Sequence, residues 1–138
     1  MKTIFYKCPV CGNVVIKTVD SGVPLFCCGK QMEELKPNTV DVAREKHVPV
    51  VTRVDDCTLE VNVGSLPHPM VPEHSIRFIW LETANGGQLR VLSPLEAPQA
   101  RFCGCKDPVE AVYEFCNLHG LWMTDAIPAE SRKCCCTH

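Results

Sequence analysis

The sequence predicts a mainly β protein, in which a small metal-stabilised module precedes a larger sandwich or barrel of antiparallel strands. Three observations carry this. Apolar residues recur with period two in several short stretches, as in half-buried strands, and no stretch of helix length holds the ~3.6-residue period. Clusters of Gly, Pro, Asn and Asp separate those stretches as turns do. Four of the eleven cysteines crowd into the first 36 residues, where no histidine occurs.

The N-terminal module comes first. Residues 1–36 hold Cys8, Cys11, Cys27 and Cys28. A chain below ~40 residues buries too little apolar surface to fold unaided, and a metal is the economical remedy. In Cys8–Pro9–Val10–Cys11–Gly12, two residues between thiolates let both sulfurs face one ion. Gly12 permits the backbone to turn amides toward sulfur, and such hydrogen bonds tune a metal. Cys27–Cys28–Gly29 supplies the second pair; adjacent cysteines converge only with distorted angles. Four thiolates suit zinc or a single iron, and spacing leaves both open.

The boundary falls at Lys36–Pro37–Asn38–Thr39, a turn-like connector. Within residues 37–138, Val50–Val54 precedes a turn at Asp55–Asp56. Cys57, Leu59, Val61 and Val63 then alternate with Thr58, Glu60 and Asn62 as a half-buried strand. Ile76–Thr83 reads as a long apolar strand. Asn85–Gly86–Gly87 offers positive-φ residues for a tight hairpin, with Gln88–Ser93 returning. Val109–Cys116 alternates again. Short strands separated by turns argue for a sandwich or barrel.

Bulk properties exclude several classes. The 138 residues are 46% hydrophobic and 22% charged, with net charge −2. That balance lacks the basic face of a nucleic-acid binder. No apolar run approaches the ~20 residues of a membrane span. The start, Met1 to Cys8, has no apolar signal core, so a cytoplasmic location is expected. There, cysteines serve metals or redox chemistry rather than structural disulfides.

The histidines hold the strongest functional signal. Besides His138 at the terminus there are His47, His68, His74 and His119. The first three sit beside prolines: Glu45–Lys46–His47–Val48–Pro49, Leu66–Pro67–His68–Pro69–Met70 and Val71–Pro72–Glu73–His74. His119 closes Cys116–Asn117–Leu118–His119 and precedes Gly120–Leu121–Trp122. A lone loop histidine is usually a solvated residue, and Cys116 alone could be a core thiol. Four imidazoles and one thiolate together are five donors, more than structural or catalytic zinc takes from protein. Six-coordinate iron would keep one position open, and a thiolate opposite it would push electron density toward whatever binds.

These motifs resemble those of the two-iron superoxide reductases, the desulfoferrodoxins. Cys8–Pro9–Val10–Cys11 with Cys27–Cys28 resembles the desulforedoxin module. The four segments carrying His47, His68, His74 and Cys116–His119 resemble the catalytic domain's motifs in the same order. The resemblance spans roughly residues 1–126. It implies a rubredoxin-like iron on Cys8, Cys11, Cys27 and Cys28, in a module over residues 1–36. It implies a second iron with His47, His68, His74 and His119 equatorial and Cys116 axial, in an immunoglobulin-like β-sandwich over residues 37–138. Superoxide would take the sixth position and be reduced to hydrogen peroxide, with rubredoxin as electron donor and the protein a homodimer. Lys46 would guide the anion and orient a proton-donating water; by itself it reads as a solvated surface charge. Glu45 would be a hard carboxylate ligand for the oxidised iron, although in isolation it reads as an ordinary strand-edge residue.

Some residues fall outside that pattern. Cys103 and Cys105 read as surface thiols in a variable loop, Cys57 as a buried small hydrophobe, and residues 127–138, with Cys134–Cys135–Cys136, as a flexible tail. Two other functions fit part of the data: a two-iron electron carrier, which would close its coordination shell, and a zinc-stabilised binding module, which would be colourless.

Overall fold

The computed structural model describes residues 2–103 and 107–129. The chain divides into two compact units, Lys2–Lys36 and the residues from Pro37 onward. Neither unit contains an α-helix among the described residues, and no helix is long and apolar enough to cross a membrane.

The first unit has five very short strands: β1 (Phe5–Lys7), β2 (Val14–Ile16), β3 (Phe26–Cys27), β4 (Lys30–Gln31) and β5 (Glu33–Glu34). β1 lies between β2 and β5, and β3 pairs with β4. Its buried apolar side chains are Phe5, Cys8 and Met32, far too few to offset the ordering of 35 residues. The cysteines must therefore carry much of its stability. Cys28 (φ 54°) and Gly29 (φ 72°) form the two-residue turn between the paired Cys27 and Lys30. Two positive φ values in a two-residue loop define a type I′ turn. That turn is how adjacent cysteines face one point.

Among the described residues the second unit is a sandwich of seven strands, the number in a constant-type immunoglobulin fold. One sheet holds β6 (Pro49–Arg53), β7 (Thr58–Val63) and β10 (Gln99–Cys103) in the order β10-β7-β6. The other holds β8 (Ile76–Thr83), β9 (Gly86–Val91), β11 (Val109–Cys116) and β12 (Gly120–Thr124) in the order β12-β11-β8-β9. All pairings are antiparallel. Leu59, Val61 and Phe102 from the first sheet share one core with Ile79, Leu81 and Val112 from the second. β7 alternates strictly between buried and half-buried, as its sequence predicts.

Several expectations are refined. β10, β12 and the N-terminal strands, of five residues or fewer, are too short to announce themselves. The β8–β9 connection is Ala84–Asn85, because Thr83 already pairs with Gly86. Gly86 and Gly87 are therefore strand residues without positive φ. Gly87 instead makes room for an aromatic ring: a Cβ there would stand 2.2 Å from Cζ2 of Trp80. Cys57 is buried, as its strand phase predicts, but it is disulfide-bonded rather than a free thiol. Cys103 ends β10 with its side chain exposed. Residues 127–129, placed in the predicted tail, are tied to the sandwich: Ile127 packs on the core and Arg53 donates to the Ala129 carbonyl at 2.9 Å. Cys105, residues 130–138 and with them Cys134, Cys135, Cys136 and His138 lie outside the described residues.

Strand register places the functional segments. Pro49 pairs with Val63, Ile76 with Cys116, and Cys116 with Gly120. The start of β6, the end of β7, the start of β8 and the β11–β12 turn thus share one end of the sandwich. His47 precedes β6, His68 and His74 lie in the β7–β8 crossover, and His119 lies in the β11–β12 turn. Antiparallel pairing converges four segments that are far apart in sequence.

Candidate metal centres

In the first unit, the donor atoms of Cys8, Cys11, Cys27 and Cys28 all lie within 4.8 Å of one another. Gly12 sits at φ 81°, and the amides of Val10 and Cys11 each donate to Cys8 Sγ at 3.4 Å. Those donors, chiefly the Cys11 amide, pull the Cys8 thiol down to about 6. Its neighbours go the other way. Proton sharing with Cys11 and then Cys27 pushes Cys28 up to about 12, and contact with Cys8 raises Cys27. Four crowded sulfurs cannot all ionise without a cation, so the cluster has the character of a metal site rather than of four independent thiols.

In the second unit, four imidazoles close a square. Ring centroids are 4.7 Å apart for His47–His68, 4.6 Å for His68–His74, 4.9 Å for His74–His119 and 4.9 Å for His119–His47. Adjacent rings are inclined by 67° to 83°, so neighbours meet edge to face rather than stacked. The centre of such a square is about 3.4 Å from each centroid, which brings an inward ring nitrogen near the ~2.0–2.1 Å of a metal–imidazole bond. The donor atoms of His47, His68, His119 and Cys116 lie within 4.8 Å of one another, and the ring of His74 completes the square.

Local hydrogen bonds prepare the rings. His68 Nδ1 lies 2.7 Å from the Pro69 carbonyl, which makes Nδ1 the protonated nitrogen and leaves the Nε2 lone pair free. Nε2 of His68 and Nε2 of His74 are both buried without a hydrogen-bond partner. Orphaned buried nitrogens are costly unless a cation satisfies them. Cys116 is fully buried, with Sγ 3.9 Å from His119 Nδ1. Burial pushes its thiol up, while amide donors from Leu118 and His119 partly reverse the shift.

Three residues to which the sequence reading gave no role support the square. Trp122 stacks on His47 at 4.9 Å and 14°, and its Nε1 donates to the His119 carbonyl at 3.1 Å. Glu114 is fully buried, with Oε1 3.7 Å from His47 Nδ1, and burial raises its carboxyl well above the usual range. The available signal was its place two residues before Cys116, which puts it on the same strand face. Gly64, at φ 77°, lies under the 3-10 turn Arg44–Lys46, where a Cβ would stand 2.5 Å from the Glu45 carbonyl oxygen. That carbonyl accepts from the Leu66 amide at 3.1 Å, fixing the backbone that presents the exposed Glu45 and Lys46.

Burial first, then the charges of His68, His119, His74 and Lys46, lowers His47 to about 4. Burial also lowers His68 and His74, with Lys46 adding to both. All three are held in the neutral form that binds metal. A depressed imidazole pKa means that the unfolded chain binds protons first on acidification. The metal-free protein should therefore keep this stability above the ordinary 6.5 and lose it as pH falls toward about 4. Denaturant midpoints of the metal-free protein at about pH 7.5 and about pH 5 test this, and equal midpoints would contradict it.

Fold and sites together define a two-centre metalloprotein: a tetrathiolate module and a β-sandwich bearing a four-histidine, one-cysteine site at one end. The chain belongs to the desulfoferrodoxin family. The family model described as desulfoferrodoxin matches residues 39–125, and that of the desulfoferrodoxin N-terminal domain matches residues 2–35. A desulfoferrodoxin of Syntrophotalea carbinolica is 47% identical over 121 residues, covering 87% of this chain and 94% of the relative. One of Nitratidesulfovibrio vulgaris is 43% identical, covering 88% and 94%. The crystal structure of the superoxide reductase from Treponema pallidum superposes with a TM-score of 0.74 at 36% identity, covering 90% of this chain and 99% of that one. The two donor sets fit the two iron centres of this family, and five protein donors at the second exceed what zinc takes.

Proposed function

We propose that this protein is a superoxide reductase: superoxide, one electron and two protons give hydrogen peroxide, as a defence against oxidative stress. The observation that carries the reading is the closed imidazole square with the buried thiol of Cys116 beside it. Supporting it, relatives from Pyrococcus horikoshii and Thermococcus kodakarensis, 38% and 36% identical over 95 residues, are named superoxide reductase. His47, His68, His74, His119 and Cys116 would hold one iron, and Cys8, Cys11, Cys27 and Cys28 the other. Bound by five donors, the former would supply the electron and one open position for a small anion, with the thiolate favouring electron release.

The chain's own residues do the rest. The neutral imidazoles of His47, His68 and His74 add no charge to the donor set. Lys46 places a positive charge that acts on His47, His68 and His74, on a protein of net charge −2. An anionic substrate needs such a local field for fast capture. Its ammonium also offers donors that orient a water for protonation of the product. Glu45, on the same 3-10 turn, offers a hard oxygen donor that favours the oxidised metal. A rubredoxin-like protein would return the electron, and we place the reaction in the cytoplasm, in a homodimer whose residues 1–36 form the accessory iron module and 37–138 the catalytic domain.

Mixing the reduced, iron-loaded protein with superoxide is the direct test. Rapid stoichiometric oxidation with peroxide formed is expected. An unreactive reduced protein would make it an electron carrier, and a colourless metal-loaded protein would make it a zinc module. Lys46→Ala should slow capture about tenfold at low salt and flatten its ionic-strength dependence, with both metals retained. An unchanged rate at low salt would remove the steering role.

A further inference from the structure

We propose that Asn117 is a positioning residue that clamps His74 to the Cys116–His119 turn and so sets the geometry of the second metal centre. The inference rests on the reading of that site as an iron centre. Asn117 lies between two donors in sequence, and it grips the backbone on both sides of a third. Its Oδ1 accepts from the Ser75 amide at 2.9 Å, and its Nδ2 donates to the Glu73 carbonyl at 2.8 Å. Its own backbone amide donates to the Ser75 carbonyl at 3.3 Å.

His74 itself is held from the other side. Its amide and carbonyl pair with the carbonyl and amide of Val71 at 3.1 and 3.0 Å. The crossover segment around His74 has no strand partner of its own, because β8 begins only at Ile76. Without Asn117, the tie from Val71 is local: it fixes the shape of the Val71–His74 turn but not its place against β11. The side chain of Asn117 makes that second connection across 42 to 44 residues of sequence. Cys116, His119 and His74 are thereby fixed relative to one another before any metal arrives.

The chemistry demands an amide. One end must accept from an N–H and the other must donate to a C=O, about one side-chain width apart. Aspartate keeps the size and the acceptor but sets an oxygen against the Glu73 carbonyl. Alanine removes both contacts and leaves only the backbone bond. A residue that merely filled space would tolerate aspartate.

The test uses the full chain loaded with iron, comparing native protein, Asn117→Asp and Asn117→Ala. Release of the second iron to a chelator should be about tenfold faster or more in both variants, the range lost when outer partners of metal ligands are removed. The ferric thiolate absorption and the paramagnetic resonance of that centre should shift, reporting a displaced imidazole. The spectrum of the four-cysteine centre, in the same chain, should stay unchanged and serves as the internal control. If Asn117→Ala fails to fold by circular dichroism, Asn117→Asp, nearly isosteric, decides the matter. Native release rates with native spectra in Asn117→Asp would overturn the clamp. If the native protein takes up no second iron at all, the site reading fails instead, and the two failures are distinct.

Discussion

Replacing Cys116 with serine is expected to abolish the visible sulfur-to-metal absorption of the second centre. It should also slow superoxide reduction by more than the ~10–100-fold that loss of an outer partner costs a metal site. Cys116 is the cysteine that clusters with the histidines among the described residues, it is fully buried, and it belongs to the core cluster. Its pKa is raised by burial, so its thiolate depends on the cation it faces. A serine hydroxyl stays neutral there and pushes no charge toward a bound anion. Four imidazoles remain, so some metal should still bind, and the variant separates binding from reactivity. Rapid mixing of the reduced variant with superoxide is the measurement. A rate within a fewfold of native would show that the thiolate is a spectator and would remove the electronic half of the proposal.

The second large effect is in the other unit. Cys28→Ser should lose the four-cysteine metal, and with it the fold of residues 2–36. The unit has three buried apolar side chains and no strand longer than three residues. Metal binding by tetrahedral sites in small domains is worth on the order of 10 kcal/mol, comparable to the whole stability of a domain. Limited proteolysis should then cut within residues 2–36 and spare the sandwich, and metal analysis should find one iron per chain. Superoxide reduction by the chemically reduced variant should persist. If it vanished while the second centre still held its metal, the two units would be coupled in a way that their separate architecture does not imply.

These expectations draw on information of two kinds. The donors were legible because their chemical types are scarce: five histidines in 138 residues, four of them near Pro or Gly, and two cysteine pairs that a 36-residue module cannot do without. β7 was legible because six residues are enough to show a period of two, and β8 because its eight residues form an apolar run; β11, read as alternating, is instead buried on both faces from Ala111 to Cys116. The resemblance of the motifs to the desulfoferrodoxins, now supported by family matches over both units, named the chemistry. β10 and β12, five residues each, were not legible. Nor was the use of Gly87, since a glycine reads as a turn when the ring it accommodates belongs to another strand.

The sequence by itself thus determined which side chains are available to bind metal, and that the framework is β, because residue type and short-range periodicity are local properties. Only the tertiary structure decided that His47 and His119, 72 positions apart in the numbering, stand ring edge to ring face at 4.9 Å. It also decided that Asn117, Trp122 and Gly64 hold the segments that bring the donors together. Convergence is set by antiparallel register across two sheets, and register is a sum of many weak long-range contacts that no single stretch of chain contains.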